Sequence, residues 1–337
     1  MANKQPDSDR VIADCTERLA ASPGDSETLT KRGWAWLDQE NYDNAIGDFD
    51  HALVSDANLA GALNGRGLAF SEKGEYDRGI ADFSLAINCL HAERKLATLF
   101  YNRGRCRHLD GANEQAIEDL SEAIRLAPQY SAAHGVRGLA WAAIDNYKNA
   151  MDDYDLAIRY DPDNADALHN RGNVWVTLGK FRRGIADFTR ALEIDPGNAA
   201  THKSRGIAWR RKGRYAKAIA DYERALELDP SSQQPRCALG VLLAACPNRR
   251  YLDGARAVRL LTEACEMTNY GEARMIDVLA AAHAENGDFP SAIACQEQAL
   301  ALSTDDDHKD SMRGCLELYK AGITWQLEPP TWRERWA

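Results

Sequence analysis

Glycine recurs through this chain at a nearly constant interval. Successive members of one series are separated by 34, 37, 34, 34, 34 and 34 residues. A fixed period of this length indicates a repeat architecture rather than an accident of composition. The series consists of Gly33, Gly67, Gly104, Gly138, Gly172, Gly206 and Gly240. The 337 residues are therefore better divided by 34 than by the size of an ordinary domain.

Each repeat carries the same pattern of small and large apolar residues around its glycine. With that glycine at position 8, position 20 is alanine or glycine, position 27 is alanine, and position 24 is aromatic or leucine in the first six repeats. Positions 4, 7, 8 and 11 share one helix face, and positions 20, 23, 24 and 27 share another. The pattern predicts two helices per repeat that pack closely as an antiparallel hairpin. The repeats begin at Ser26, Ala60, Ala97, Ser131, Ala165, Ala199 and Gln233.

This pattern resembles the tetratricopeptide repeat family from about residue 10 to about residue 306. The resemblance implies an all-α fold, a right-handed α-solenoid of helix-turn-helix repeats whose first helices line a concave groove. The C-terminal part, about residues 240–322, resembles the divergent segments that close such arrays in large bacterial proteins.

The chain is predicted to contain five segments. Residues 1–25 include a lone second helix, residues 26–232 form six regular repeats, and residues 233–306 form two divergent repeats. The first of the divergent repeats has an insertion around residues 247–254. Residues 307–322 are predicted to form a capping helix, and residues 323–337 a tail rich in tryptophan.

Charged residues occupy two positions that the pattern places on packing faces. Position 7 is arginine and position 23 is aspartate in all six regular repeats. A buried guanidinium needs a carboxylate, so we expect a structural ladder of ion pairs, formed either within repeats or between neighbours. In repeats seven and eight these positions hold Leu239 with Leu260 and Leu279 with Cys295, so both charges are expected to be absent there. The ladder residues are Arg32, Arg66, Arg103, Arg137, Arg171 and Arg205, with Asp48, Asp82, Asp119, Asp153, Asp187 and Asp221.

Charge and motif content argue against several classes of function. A net charge of −10 disfavours nucleic acid or an anionic membrane as the main partner. There is no apolar run of about 18 residues and no signal-peptide core at the start, so a cytoplasmic location is expected. The eight cysteines are dispersed without a CxxC pair, and no cofactor or metal is expected. No catalytic motif occurs, so we do not expect an enzyme.

The resemblance implies that the groove binds a peptide or helix of a partner protein. Groove residues are expected at positions 2, 5, 9, 12 and 13, with asparagines at position 6 as candidate contacts to a peptide backbone. The predicted groove runs from an acidic end over an apolar floor to a basic end, which would orient an extended ligand. The carboxylate clamp of tetratricopeptide co-chaperones is not supplied by any three consecutive repeats, so chaperone tails are not expected. The candidates are Asn64, Tyr101, Asn102, Arg105, His108, His169, Asn170, Asn173, Lys203, Arg210 and Arg211.

The C-terminal tail is a second candidate for interaction. Trp325, Trp332 and Trp336 follow the capping helix, and aromatic residues outside a core often anchor interfaces. The tail is expected to fold back on the array, to dock into a partner or a second copy, or to be disordered. The alternative function is therefore a self-assembling structural protein, a homo-oligomer formed through the groove or the tail.

Overall fold

The computed structural model of the protein describes residues 5–90 and 93–324. Within these ranges the regular structure is helical, without any β-strand, so the predicted all-α fold is confirmed. The chain divides into two compact parts, an N-terminal half (Met1–Asn170) and a C-terminal half (Arg171–Ala337). The helices are α1 (Gln5–Ala21), α2 (Ser26–Asp38), α3 (Tyr42–Ser55), α4 (Ala60–Glu72), α5 (Tyr76–Cys89), α6 (Glu93–Leu109), α7 (Asn113–Leu126), α8 (Ser131–Ala143), α9 (Tyr147–Tyr160), α10 (Ala165–Thr177), α11 (Phe181–Ile194), α12 (Ala199–Arg211), α13 (Tyr215–Leu228), α14 (Gln233–Ala245), α15 (Gly254–Met267), α16 (Ala273–Glu285), α17 (Phe289–Leu302) and α18 (Asp306–Lys320).

Consecutive helices pair as hairpins. In the N-terminal half α2 packs with α3, α4 with α5, α6 with α7, and α8 with α9. In the C-terminal half α12 packs with α13, α14 with α15, and α16 with α17. Second helices also pack against the first helix of the following hairpin, as α3 does on α4 and α13 on α14. Each internal hairpin therefore buries apolar surface on both sides, which one hairpin alone could not do.

The close approach of the two helices in a hairpin explains the recurring glycine. In repeat four, a Cβ atom added to Gly138 would lie 2.7 Å from a ring carbon of Tyr154. Side chains at position 24 are buried almost completely in all six regular repeats, with exposures of 0–1%. A hydrogen atom at position 8 thus leaves the space that the large side chain at position 24 fills.

The turn between the two helices of a hairpin requires a left-handed residue at position 15. The backbone angle φ is positive there in seven of the eight repeats, and five of these residues are glycine. Glu40 and Asp145 adopt the same conformation, each with φ of 59°. The conformation closes the first helix, because the next residue donates its N–H back to the helix, as Asn41 does to the carbonyl oxygen of Trp36 at 2.9 Å.

Two irregular intervals are absorbed locally. The longer interval before repeat three becomes an additional turn of α6, which has 17 residues where the other first helices of the hairpins have 13. That helix begins at Glu93 rather than at Ala97, where the sequence pattern placed the start of the repeat. The insertion in repeat seven contains a short 3₁₀ helix, Arg249–Tyr251. Asp253 then caps α15 by accepting a hydrogen bond from the backbone N–H of Arg256 at 3.0 Å.

The C-terminal end of the described chain is covered by α18. This helix packs against α17 and buries Met312, Cys315 and Tyr319, each at 3% exposure or less. The apolar side chains of the last hairpin are thereby covered, as a terminal cap requires. Trp325, Trp332 and Trp336, the tail residues predicted to anchor an interface, lie outside the described residues.

Candidate functional site

The arginine of each regular repeat binds the aspartate of the same repeat through two hydrogen bonds. Its Nε atom donates to one carboxylate oxygen and its Nη2 atom to the other, at 2.7–2.9 Å in every pair. The aspartates are buried, whereas the arginine side chains keep 16–22% of their surface exposed. The choice that the sequence left open is therefore settled in favour of pairs within a repeat, and Asp14, which precedes the first ladder arginine, is exposed.

A third nitrogen of the same arginine reaches the preceding repeat. In repeat four the Nη1 atom of Arg137 donates to the Ser121 hydroxyl at 2.9 Å. In repeat two the acceptor is the carboxylate of Asp50, to which Arg66 donates at 2.6 Å. Thr16, Ser84 and Thr189 are the corresponding acceptors for Arg32, Arg103 and Arg205. One guanidinium thus ties the two helices of its hairpin together and links them to the second helix before them.

Some ladder aspartates have a further partner that the sequence analysis missed. The Nδ1 atom of His134 lies 3.1 Å from Asp153, and His202 occupies the same place beside Asp221 at 3.3 Å. Burial would raise the pKa of Asp153, but the hydrogen bonds from His134 and Arg137 outweigh it and hold that pKa below the usual 3.8. The signal in the sequence was histidine at position 4 of repeats four and six, three residues after the first residue of each first helix.

Repeat eight lacks the ladder pair, as expected, but holds a different buried polar pair that the sequence analysis did not anticipate. Leu279 is buried as predicted, but Asp277 is buried as well, at 4% exposure. Gln296, which replaces the aromatic residue at position 24 and is fully buried, donates from Nε2 to Asp277 at 2.8 Å. Positions 7 and 23 carry no charge in repeat eight. A buried carboxylate, Asp277, instead lies two residues before position 7, where the Gln296 amide binds it.

In the N-terminal half, four of the predicted groove residues contact each other or neighbouring side chains. Asn102 donates to the Asn64 side chain at 2.9 Å, which joins α6 to α4. Arg105 forms an ion pair with Glu72 of α4 at 2.7 Å. Burial raises the pKa of Tyr101, whose ring packs on that of Tyr130 with centroids 5.0 Å apart. These contacts connect neighbouring first helices, so the face is organised before any ligand arrives.

The remaining candidates of this half lie on α6 and α10. His108, near the end of α6, is half-buried, and its Nδ1 atom lies 2.7 Å from the Asn113 side chain. His169 and Asn170 are partly exposed on α10.

A cavity of about 280 Å³ opens between α4 and α6, next to Asn64. Its apolar wall includes Leu90 and Leu99, while Thr98 and Lys95 bring a hydroxyl and an ammonium group to it. Lys95 belongs to the additional turn of α6, so the longer interval in the sequence supplies part of the cavity. Gly61 also lines the cavity and leaves space, since a Cβ atom there would have no neighbour closer than 3.9 Å.

In the C-terminal half, the predicted basic residues are not equally available. Burial lowers the pKa of Lys203, which donates to the Gln234 side chain on α14. Arg210 is only 8% exposed and therefore offers little surface to a ligand; position 12 is buried here, as it is at Ser71 in repeat two. Asn173 and Arg211 remain partly exposed.

The cysteines and the acidic residues show no sign of a metal centre in the described chain. All eight cysteines are free, and five of them are buried. Burial raises the pKa of Cys265 to about 12 and that of Cys237 to about 11, so both stay protonated near neutral pH. Residues 5–90 and 93–324 contain no cluster of three or more metal-binding side chains, and no helix there is long and apolar enough to cross a membrane.

The hairpins and their period define an all-α repeat protein, and sequence comparison identifies the repeat. Tetratricopeptide repeat profiles match residues 30–93, 97–130 and 169–233, and a TPR repeat profile matches residues 138–179. Together these matches cover more than half of the sequence. The chain belongs to the tetratricopeptide repeat family, as the residue pattern indicated. No curated protein matches the sequence.

Solved structures with the same fold come from diverse proteins. The Cut9–Hcn1 hetero-tetramer of the APC/C aligns with a TM-score of 0.59 and 16% identity over 76% of this chain and 46% of that one. PilF of Pseudomonas aeruginosa aligns with a TM-score of 0.54 and 16% identity over 63% and 95%. A tetratricopeptide repeat protein of Parabacteroides merdae gives 0.51 and 14% over 88% and 98%. This chain spans less than half the length of the first of these proteins, and at such identities the likeness establishes the fold alone.

Proposed function

We propose that the protein is a non-catalytic interaction module that binds a peptide or helix of a partner protein on the first helices of its N-terminal half. Proteins of the tetratricopeptide repeat family typically act as protein-interaction modules, which supports this class of function. A cytoplasmic location is part of the proposal, and the eight free thiols are what a reducing compartment would maintain.

The cavity between α4 and α6 is the observation that carries the proposal. It combines apolar walls with the amide of Asn64, the hydroxyl of Thr98 and the ammonium group of Lys95. Binding sites of this kind bury an apolar group and orient it through a few polar contacts. An apolar side chain of a bound segment would enter the cavity, while its backbone would meet the polar groups around it.

The contacts beside the cavity favour binding by lowering its entropic cost. The Asn64–Asn102 hydrogen bond and the Tyr101–Tyr130 stack restrict side chains that would otherwise lose rotamer freedom when a ligand binds. A ligand along α4 and α6 would therefore meet a face that is already ordered.

Filling the cavity tests the proposal. Peptides selected from a displayed random library against the wild-type protein should lose roughly tenfold or more in affinity for Gly61→Trp, measured by fluorescence anisotropy, because the indole occupies the cavity. The fold should survive, since Gly61 has open space and replacing glycine within a helix favours helix formation.

Gly47→Trp provides the matched control. Gly47 lies on the second helix α3, where an added Cβ atom would have no neighbour within 4 Å, so the same substitution is expected to be tolerated outside the cavity between α4 and α6. Its affinity for the selected peptides should equal that of the wild type. Equal binding by Gly61→Trp and the wild type would refute the cavity as the site.

A further inference from the structure

Two hairpin turns of the C-terminal half carry an uninterrupted cluster of cations. Residues 171–186 and 196–220 contain no aspartate or glutamate, although acidic residues outnumber basic ones by 51 to 41 in the whole chain. The turns between α10 and α11 and between α12 and α13 lie within these stretches. Six cations, all exposed except for the partly buried Lys212, form what we call the basic edge: Lys180, Arg182, Arg183, Lys212, Arg214 and Lys217.

Aromatic rings hold four of these cations in place. The Lys180 ammonium lies 5.0 Å and the Arg183 guanidinium 4.7 Å from the centre of the Trp175 ring. In the next repeat Lys217 lies 4.5 Å and Lys212 6.0 Å from the Trp209 ring. Because a cation is attracted to the face of a tryptophan ring, the side chains are ordered without a carboxylate partner.

No carboxylate within the described residues comes within 4.0 Å of the basic edge to form an ion pair. The charge is therefore available to a ligand. A cavity of about 320 Å³ opens between the two turns, lined by residues 179–183 and by Lys212. Leu178, which immediately precedes the lining residues in the sequence, is an apolar residue with 43% exposure.

The same place in the N-terminal half has the opposite character. There, a cavity of about 340 Å³ is lined by residues 39–43 and Lys73, which are the equivalent turn and the equivalent residue of the following repeat. Lys73 forms ion pairs with Asp43 at 2.7 Å and Glu75 at 3.4 Å, and Arg78, stacked on Phe70, also pairs with Glu75. The fold therefore does not require unpaired cations at these turns. Their presence in repeats five and six follows from the residues that these two repeats carry.

We propose that the basic edge is a second binding surface and that it binds an acidic polypeptide segment of a partner protein, one that combines clustered carboxylates with an apolar residue. Complementary charge would attract the segment and fix its position, and Leu178 would contact its apolar residue. This surface is formed by hairpin turns of repeats five and six rather than by α4 and α6, and it does not depend on the function proposed for the cavity between those helices.

Two observations favour a polypeptide over a nucleic acid. The rings of Trp175 and Trp209 already carry cations of this chain, so they are not free platforms for stacked bases. The protein as a whole is acidic, so a long polyanion that extends beyond the two turns would be repelled, whereas a short acidic segment would not.

Charge neutralisation at equivalent positions tests this proposal. The probe is a fluorescein-labelled peptide of alternating glutamate and leucine residues, and its affinity is measured by anisotropy at low and at physiological salt. Lys212→Gln/Lys217→Gln should weaken binding roughly tenfold at low salt, and added salt should weaken wild-type binding steeply.

The matched control is Lys73→Gln/Arg78→Gln, which removes two cations from the same positions of repeat two. Those cations are already neutralised by neighbouring carboxylates, so peptide affinity should change less than about twofold. Circular dichroism melts of both variants verify that they fold. Gly61→Trp should retain full affinity for this probe, which separates failure of this proposal from failure of the cavity as a peptide site.

Three outcomes would overturn the proposal. The first is no binding of the peptide by the wild type at low salt. The second is an equal loss in the two double variants, which would indicate attraction to charge in general. The third is tighter binding of a DNA duplex or of phosphatidylserine vesicles, with the loss confined to Lys212→Gln/Lys217→Gln, which would assign the surface to phosphate groups instead.

Discussion

At the scale of single residues, position 15 of the repeat has a left-handed backbone conformation, which strains any residue other than glycine. Five repeats place glycine there, but Glu40 and Asp145 adopt φ of 59°. A side chain with a Cβ atom is strained in this region, while glycine is not. The Asp145 carboxylate accepts a hydrogen bond from the Tyr147 hydroxyl at 2.5 Å, whereas the exposed Glu40 side chain forms no hydrogen bond or ion pair with the part of the chain that the structure describes.

Glu40→Gly should therefore stabilise the protein by about 1 kcal/mol, since it relieves the strained conformation. Urea unfolding followed by circular dichroism measures the change. Glu40→Ala is the control, because alanine removes the same charge but keeps the Cβ atom. An equal gain in both variants would attribute the effect to charge rather than to backbone conformation.

The buried carboxylate of Asp153 makes a second prediction at this scale. Its pKa is lowered in the folded protein, so it contributes stability that is fully present above the unfolded value of 3.8 and is lost as the pH falls through the folded value. The difference in unfolding free energy between the wild type and Asp153→Asn should thus shrink as the pH is lowered below 3.8. Urea titrations at several pH values measure it.

An exposed aspartate gives the comparison for this pH dependence. Asp14→Asn changes an exposed carboxylate outside the ladder, so its free energy of unfolding should stay close to that of the wild type. If the difference in unfolding free energy between the wild type and Asp153→Asn stayed constant down to strongly acidic pH, Asp153 would not be a stabilising charged group.

At the scale of helices and hairpins, the ladder ties each first helix to its own second helix. The cost of breaking a pair depends on what else binds the aspartate. Within the described residues, Arg66 is the only side chain that donates hydrogen bonds to Asp82. Asp153, by contrast, keeps its contact with His134 when Arg137 is removed.

We expect Arg66→Ala to cost about 3 kcal/mol of unfolding free energy and Arg137→Ala about half of that. Urea unfolding of both variants provides the comparison. Arg66→Leu/Asp82→Leu should recover much of the loss, because a buried ion pair can be replaced by apolar side chains, as Leu239 and Leu260 do in repeat seven. Equal costs for the two single variants would mean that His134 does not support Asp153.

The additional turn of α6 shows why the boundaries of elements were the least predictable feature at this scale. The sequence places three additional residues before repeat three, but a loop and a longer helix fit that interval equally well. In the structure the additional residues extend α6, and Lys95 consequently lines the cavity beside Asn64. The cavity could not be anticipated, because it depends on where two helices of different repeats lie.

At the scale of the whole molecule, net charge proved a poor guide to local surfaces. The chain carries −10 overall, yet the turns of repeats five and six hold six cations without an acidic neighbour in sequence. The sequence analysis placed the basic end of the groove at Lys203, Arg210 and Arg211, and Arg210 is instead buried. The signal for the basic edge was present in the acid-free stretches, but it became interpretable only when the turns brought those residues together.

The sequence by itself determined the period, the pairing of helices into hairpins, the small residues at position 8 and the presence of an arginine and an aspartate in each regular repeat. These features are local, since they follow from helical periodicity and from contacts within about 34 residues, as between Gly138 and Tyr154. Only the tertiary structure decided which repeat each arginine binds, that Gln296 and Asp277 pair in repeat eight, and which cations remain exposed. Those outcomes depend on the distances between side chains of different helices, and one side chain can reach several partners with similar energy until packing selects one.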